Sequence, residues 1–148
     1  MSVHIESPLG FTADFPEHTQ VLDDSTAGPN SEQYGLLGGV LVTVIKDDTS
    51  VQDAPQATGW AHLMAGFYLE DRGGALLAEG ELNQPGKDAY AVVVGYDDDG
   101  GPAKVAATVG VWESGRFIGV VVIWPYLNPE AEPRLDMLRE IVGSISVG

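Results

Sequence analysis

Four apolar runs between residues 75 and 124 constrain the fold of this chain more than any other feature of it. They are Ala75–Leu82, Ala89–Tyr96, Ala103–Trp112 and Arg116–Trp124, separated by Asn83-Gln84-Pro85-Gly86, Asp97-Asp98-Asp99-Gly100-Gly101 and Glu113-Ser114-Gly115. Short glycine-containing connections of this kind join antiparallel strands as hairpins. Side chains alternate along a strand, so Val105, Ala107, Val109 and Val111 point one way and Ala106, Thr108 and Gly110 the other. The next strand back divides into Tyr90, Val92, Val94 and Tyr96 against Ala89, Ala91, Val93 and Gly95, and both faces of Phe117–Trp124 are apolar. A sheet wet on one side carries polar residues there. These strands lack them, so both faces must be covered, one of them small enough for a helix backbone to approach closely.

Two helices are available to do this. Ala57, Trp60, Ala61, Met64, Phe67 and Tyr68 form one stripe at helical spacing, with Pro55 near the first turn and Gly73-Gly74 beyond the end. In the second helix Asn128 caps, Pro129 takes the first position and Glu130 and Glu132 favour the positive end. Its stripe is Ala131, Leu135, Leu138 and Val142, and Gly143 stops it. The pairs Glu130–Arg134 and Asp136–Arg139 add a few tenths of a kcal/mol each. The spacing predicts helices over residues 57–72 and 129–142, one on each face of the sheet. The fold class is therefore α+β: an α/β/α sandwich around an antiparallel meander, one domain spanning residues 1–148.

Upstream, Phe11, Ala13 and Phe15 alternate with polar residues as a half-buried strand that Pro16 ends. Thr19–Leu22 reads as a short returning strand and Asp23–Gln33 as a loop. Leu36–Ile45 reads as one strand, bulged at Gly38-Gly39. The expected core comprises Phe11, Phe15, Val42, Val44, Trp60, Met64, Phe67, Val92, Val94, Val109, Val111, Val120, Val122, Leu135, Leu138 and Ile141.

Charge narrows the function. Seven basic residues against 22 acidic ones leave a net charge of −15. Residues 1–45 hold six acids and neither lysine nor arginine, so phosphate binding, which needs clustered cations, is disfavoured. Anionic membranes repel such a chain. Phe117–Leu127, the most apolar stretch, has 11 residues, whereas a membrane span needs about 20. Met1–Glu6 lacks the basic and apolar segments of a secretory signal. A cytoplasmic location is expected. No cysteine is present, which excludes disulfides, thiol nucleophiles and cysteine-ligated metals.

Local motifs assign no chemistry. The Asp97-Asp98-Asp99-Gly100-Gly101 tip lacks the spacing of a calcium loop, since position twelve is Thr108 and position six is not glycine. His4, His18 and His62 have no short metal-ligand spacing, and no G-x-S-x-G elbow occurs. Gly35-Leu36-Leu37-Gly38-Gly39 lacks the ending of a phosphate loop. No catalytic residue, metal site or cofactor is therefore expected. Trp124-Pro125-Tyr126-Leu127 has two readings, a packed corner or a binding patch, since tryptophan and tyrosine dominate interface hot spots. Trp112 reads in the same two ways. The candidate partner-binding residues are Asp97, Asp98 and Asp99 at one turn, Asp47 and Asp48 at another, and Trp124 and Tyr126.

Gly10-Phe11-Thr12-Ala13-Asp14-Phe15-Pro16 resembles the opening strand of the superfamily that joins the PsbP extrinsic proteins of photosystem II with the Ran-binding Mog adaptors. The meander Ala89–Trp124 and the segment Leu135–Ile145 resemble its last hairpin and C-terminal helix. The resemblance implies an α/β/α sandwich and protein binding in place of catalysis. The basic docking surface of PsbP has no counterpart in this chain, so a photosynthetic role is not carried over. Glycine, valine and alanine make up 50 of 148 residues, a bias that resembles GC-rich bacteria and argues against nuclear import. The expectation is a non-enzymatic adaptor or binding module of a bacterial cytosol, its partner a protein with a basic face. The alternatives are a secretion-chaperone or immunity-type protein gripping a basic partner, and a small hydrolase without a visible signature.

Overall fold

The alternating segment around Phe11, Ala13 and Phe15 and the apolar runs after residue 75 fold into two separate sheets. The computed structural model describes residues 2–7, 10–22, 31–36, 39–46, 51–71, 73–82, 84, 86–97, 103–113, 115–126 and 135–147. The strands are β1 (Ser2–Glu6), β2 (Phe11–Pro16), β3 (Gln20–Leu22), β4 (Ser31–Leu36), β5 (Val40–Ile45), β6 (Ala75–Glu81), β7 (Lys87–Asp97), β8 (Ala103–Glu113), β9 (Arg116–Pro125) and β10 (Ile145–Val147). Helix α1 (Ala54–Gly66) runs into a wider π turn at Phe67–Asp71, and α2 is Leu135–Ser144. The large sheet has the order β3-β4-β5-β9-β8-β7-β6 and the small one β1-β2-β10. Each of these strand pairings is antiparallel.

The small-residue face of the large sheet receives α1. Gly110 and Gly119 stand opposite each other, and Thr108 lies between Val92 and Val121. A Cβ added at Gly110 would sit 2.0 Å from the Ala57 carbonyl oxygen, so the helix backbone rests directly on that glycine. Beside it the Thr108 hydroxyl donates a 2.7 Å hydrogen bond to the Ala61 carbonyl. Asp53 caps the helix by accepting from the Gln56 N–H at 2.8 Å.

The opposite face carries the main core. Val93, Val105, Val109, Val120, Val122 and Trp124 share one buried cluster with Phe11, Ala13 and Phe15 of β2 and with Leu138, Ile141 and Val142 of α2. The helices thus serve opposite faces, as expected, but the second layer is α2 together with a small sheet. The strand β1 and the closing strand β10 have no forewarning in the sequence pattern.

Three expectations need correction. Leu36–Ile45 is not one bulged strand: β4 and β5 pair with each other, and Gly39 takes φ +76° between them. Ser31–Gln33, read as loop, belongs to β4, whose Tyr34 is fully buried opposite Val42. On α1 the buried ridge is Ala57, Ala61 and Ala65, while Trp60 and Met64 are half-buried and Phe67 is 47% exposed. The close approach to Gly110 selects alanines for the contact, while the Trp60 ring packs over Gly119 and against Phe117. Asn128, Pro129 and the other capping residues read for α2 lie outside the described residues, and so does the expected start of that helix.

The far end of α2 is held by a buried cation. Lys87 is 7% exposed, and its ammonium donates to the carbonyls of Val142, at 3.0 Å, and Ile145. Glu113 stands 3.8 Å away. Burial lowers the Lys87 pKa, and Glu113 opposes that shift. Gln84 adds a 2.8 Å hydrogen bond from its amide to the Arg139 carbonyl. Replacing Lys87 by Met keeps the stem and removes the charged donor, and it should cost about 1.5–3 kcal/mol in urea denaturation. A midpoint equal to that of the parent protein would show that the carbonyls find other partners.

Candidate partner-binding cleft

Of the residues singled out in the sequence, Asp97 and Tyr126 come together. They line a cavity of about 290 Å³ with Gly95, Tyr96, Leu77 and Ala103. Asp97 ends β7 opposite Ala103, the first residue of β8. The Tyr126 N–H donates to the Ala103 carbonyl at 2.9 Å, which fixes the tyrosine just beyond β9. A Cβ at Gly95 would lie 2.9 Å from the Tyr126 ring, so the ring fits only because position 95 has no side chain.

A separate aromatic row lies on the opposite face of β7, the face that receives α1. The Tyr96 and Tyr68 rings are 5.0 Å apart, and those of Tyr68 and Phe67 are 5.3 Å apart. On that face Phe67 is 47% exposed, and Leu76, opposite Val94, is 50% exposed. Sequence reasoning puts Phe67 in the core and gives Leu76 no role. The usable signal is the Phe67-Tyr68 pair at the end of the helical stripe, where the helix widens into the π turn. Chemically, the cleft offers the Asp97 carboxylate, the Tyr126 phenol ring and the apolar Leu77 and Ala103, which suits the capture of a partner's side chain.

The other candidates do not join it. Trp124 is fully buried, opposite Val105 in the main core, so its reading as a binding residue is corrected to core packing. The apolar run that ends β9 carries it inward. Asp98, Asp99, Asp47 and Asp48 lie outside the described residues. Trp112 is half-buried in a satellite cluster with Phe117 and Val51.

The histidines are scattered. His4 bonds Asp14 at 2.7 Å, and that hydrogen bond raises its pKa. His62 stands 3.7 Å from Glu79 and 5.2 Å from the Tyr90 ring. Burial raises the Tyr90 phenol pKa, and Glu79 adds to the shift. Among the described residues no group of three or more histidine or acidic side chains is placed to hold a metal ion. Among them also, no helix is long and apolar enough to cross a membrane.

These layers and their strand order define the PsbP/Mog-type fold. The Ran-binding protein Mog1p of Saccharomyces cerevisiae matches 99% of this chain and 95% of its own, with a TM-score of 0.67 at 14% identity. The cyanobacterial PsbP protein of Synechocystis matches 99% of this chain and 92% of its own, with a TM-score of 0.60 at 11% identity. A Pseudomonas aeruginosa protein of unknown function matches 94% of both chains, with a TM-score of 0.51 at 15% identity. No family model and no curated protein matches the sequence.

Proposed function

We propose that this chain is a non-enzymatic protein-binding or adaptor module of a bacterial cytosol, and that it holds a partner with a basic face at the Asp97–Tyr126 cleft. The observation that carries the reading is the cleft itself, where the Asp97 carboxylate and Tyr126 border an open cavity with Leu77 and Ala103. The Ran-binding role of Mog1p, a protein of the same fold, supports a protein partner. The net charge of −15 supports a cationic one, since such a field speeds association with basic surfaces and repels acidic ones.

The test takes a partner recovered from the native host and measures its association by surface plasmon resonance. Neutralising Asp97, Asp98 and Asp99 together should slow association at low salt, with the difference fading as salt rises. Tyr126→Ala should speed dissociation about tenfold, as for truncation of an interface anchor. Unchanged rates in both variants would remove the cleft from the interface.

A further inference from the structure

The large sheet ends at β6, and among the described residues no strand pairs with its outer side. One hydrogen bond and the register show which backbone groups that side presents. The Leu82 N–H donates to the Ala89 carbonyl at 2.8 Å, and the pairs run back from there as Glu81–Tyr90, Gly80–Ala91 and Glu79–Val92. Hydrogen-bonded and non-hydrogen-bonded pairs alternate along an antiparallel ladder. Leu82 and Gly80 therefore turn their N–H and C=O groups toward β7. Glu79 and Glu81 turn theirs to the open edge.

The side chains of the same residues select what can pair there. Glu79 and Glu81 stand opposite Val92 and Tyr90, so they share the face that receives α1, and both are exposed. Glu79 keeps 40% of its side chain exposed beside His62. The strand contains neither lysine nor arginine. A second copy of this chain, paired antiparallel about Gly80, would set glutamate against glutamate, and like charges directly opposite destabilise a ladder. Cations in those positions do the reverse. Between the two glutamates Gly80 points to the other face, and nothing lies within 4 Å of a Cβ added there. An apolar side chain on an incoming strand has room to cover such an edge glycine.

We propose that the β6 edge takes an extended segment of a partner protein as an added antiparallel strand, the segment carrying lysine or arginine on both sides of one apolar residue. The main chain supplies the pairing and the two cations the selectivity. Glu79 and Glu81 do not line the Asp97–Tyr126 cleft, and the proposal does not rest on that reading.

The probe is the peptide Thr-Lys-Val-Lys-Thr, blocked at both ends and titrated into the isotopically labelled full chain. The Glu79 and Glu81 amide resonances should shift saturably, and hydrogen exchange at both amides should slow. Thr-Val-Lys-Lys-Thr has the same composition but puts its lysines on opposite faces, and it should bind more weakly. Replacing Glu79→Gln and Glu81→Gln together should weaken the first peptide about fivefold, the loss expected for two cross-strand ion pairs. N-methylation of either lysine blocks a hydrogen bond to β6 and should abolish the saturable shift. The same change at the valine, whose N–H points away, should leave it. Equal affinity of the two peptides, or binding indifferent to lysine N-methylation, would overturn the proposal. So would slow exchange of the Glu79 and Glu81 amides without peptide, since the edge would then be covered already by the chain itself or by a second copy.

Discussion

Gly110→Ala should be among the most damaging single-methyl changes in this protein, costing about 3 kcal/mol or more. Overpacking usually costs about 1–3 kcal/mol, and relief here is unusually difficult. The added Cβ would meet a backbone carbonyl, that of Ala57, at 2.0 Å. No rotamer change clears a backbone atom, so α1 must lift from the sheet. Lifting also strains the Thr108–Ala61 hydrogen bond, worth about 0.5–1.5 kcal/mol. Gly59→Ala provides the contrast, because that position is on the same helix with nothing within 4 Å of an added Cβ. It should stabilise the protein by about 0.5–1 kcal/mol through helix propensity. Urea denaturation of both variants measures the difference. Equal midpoints would mean that α1 does not rest on Gly110.

Leu138→Ala should cost about 2–5 kcal/mol, the range for emptying a buried leucine site. Leu138 is fully buried in the cluster that joins α2 to both sheets. The spread depends on how far the neighbours collapse into the space. β2 and the large sheet frame the site from two sides, which limits that collapse and favours the upper half of the range. Glu140→Ala, two residues along on the exposed side, should change stability by less than about 0.5 kcal/mol. Comparable midpoints for the two would show that α2 does not seal the core.

The β6–β9 meander of the large sheet was legible because its strands alternate cleanly and its turns contain glycine. Val105, Ala107, Val109 and Val111 state their own face, and the structure keeps all of them in the main core. The hairpin of β4 and β5 was not legible, since Ser31-Glu32-Gln33 has no apolar periodicity and only Tyr34 marks its buried side. Size is a poor guide to the stripe on α1, where Phe67 looks like an inward residue but is 47% exposed. Contact with a glycine surface instead favours alanine, and that preference is a property of the partner sheet. At the site, Asp97 and Tyr126 were legible as residue types at turns, but their meeting depends on Gly95, a tertiary effect. Trp124 was open to two readings because burial at a strand end depends on what the opposite layer supplies.

The pairing of β10 with β2 bears on how the molecule folds. Ile145 lies opposite Ala13, and Val147 opposite Phe11, so the small sheet joins segments from far-separated parts of the chain. Closing so long a loop costs entropy before any contact rewards it. Topologies rich in such distant pairings fold on the slower, millisecond-to-second scale. The hairpins of the large sheet need no such closure and can form first, leaving the Phe11–Phe15 side of the core uncovered until α2 and β10 dock. For that interval the valine-rich face of the sheet is open to solvent, and it is then that the chain is most exposed to self-association.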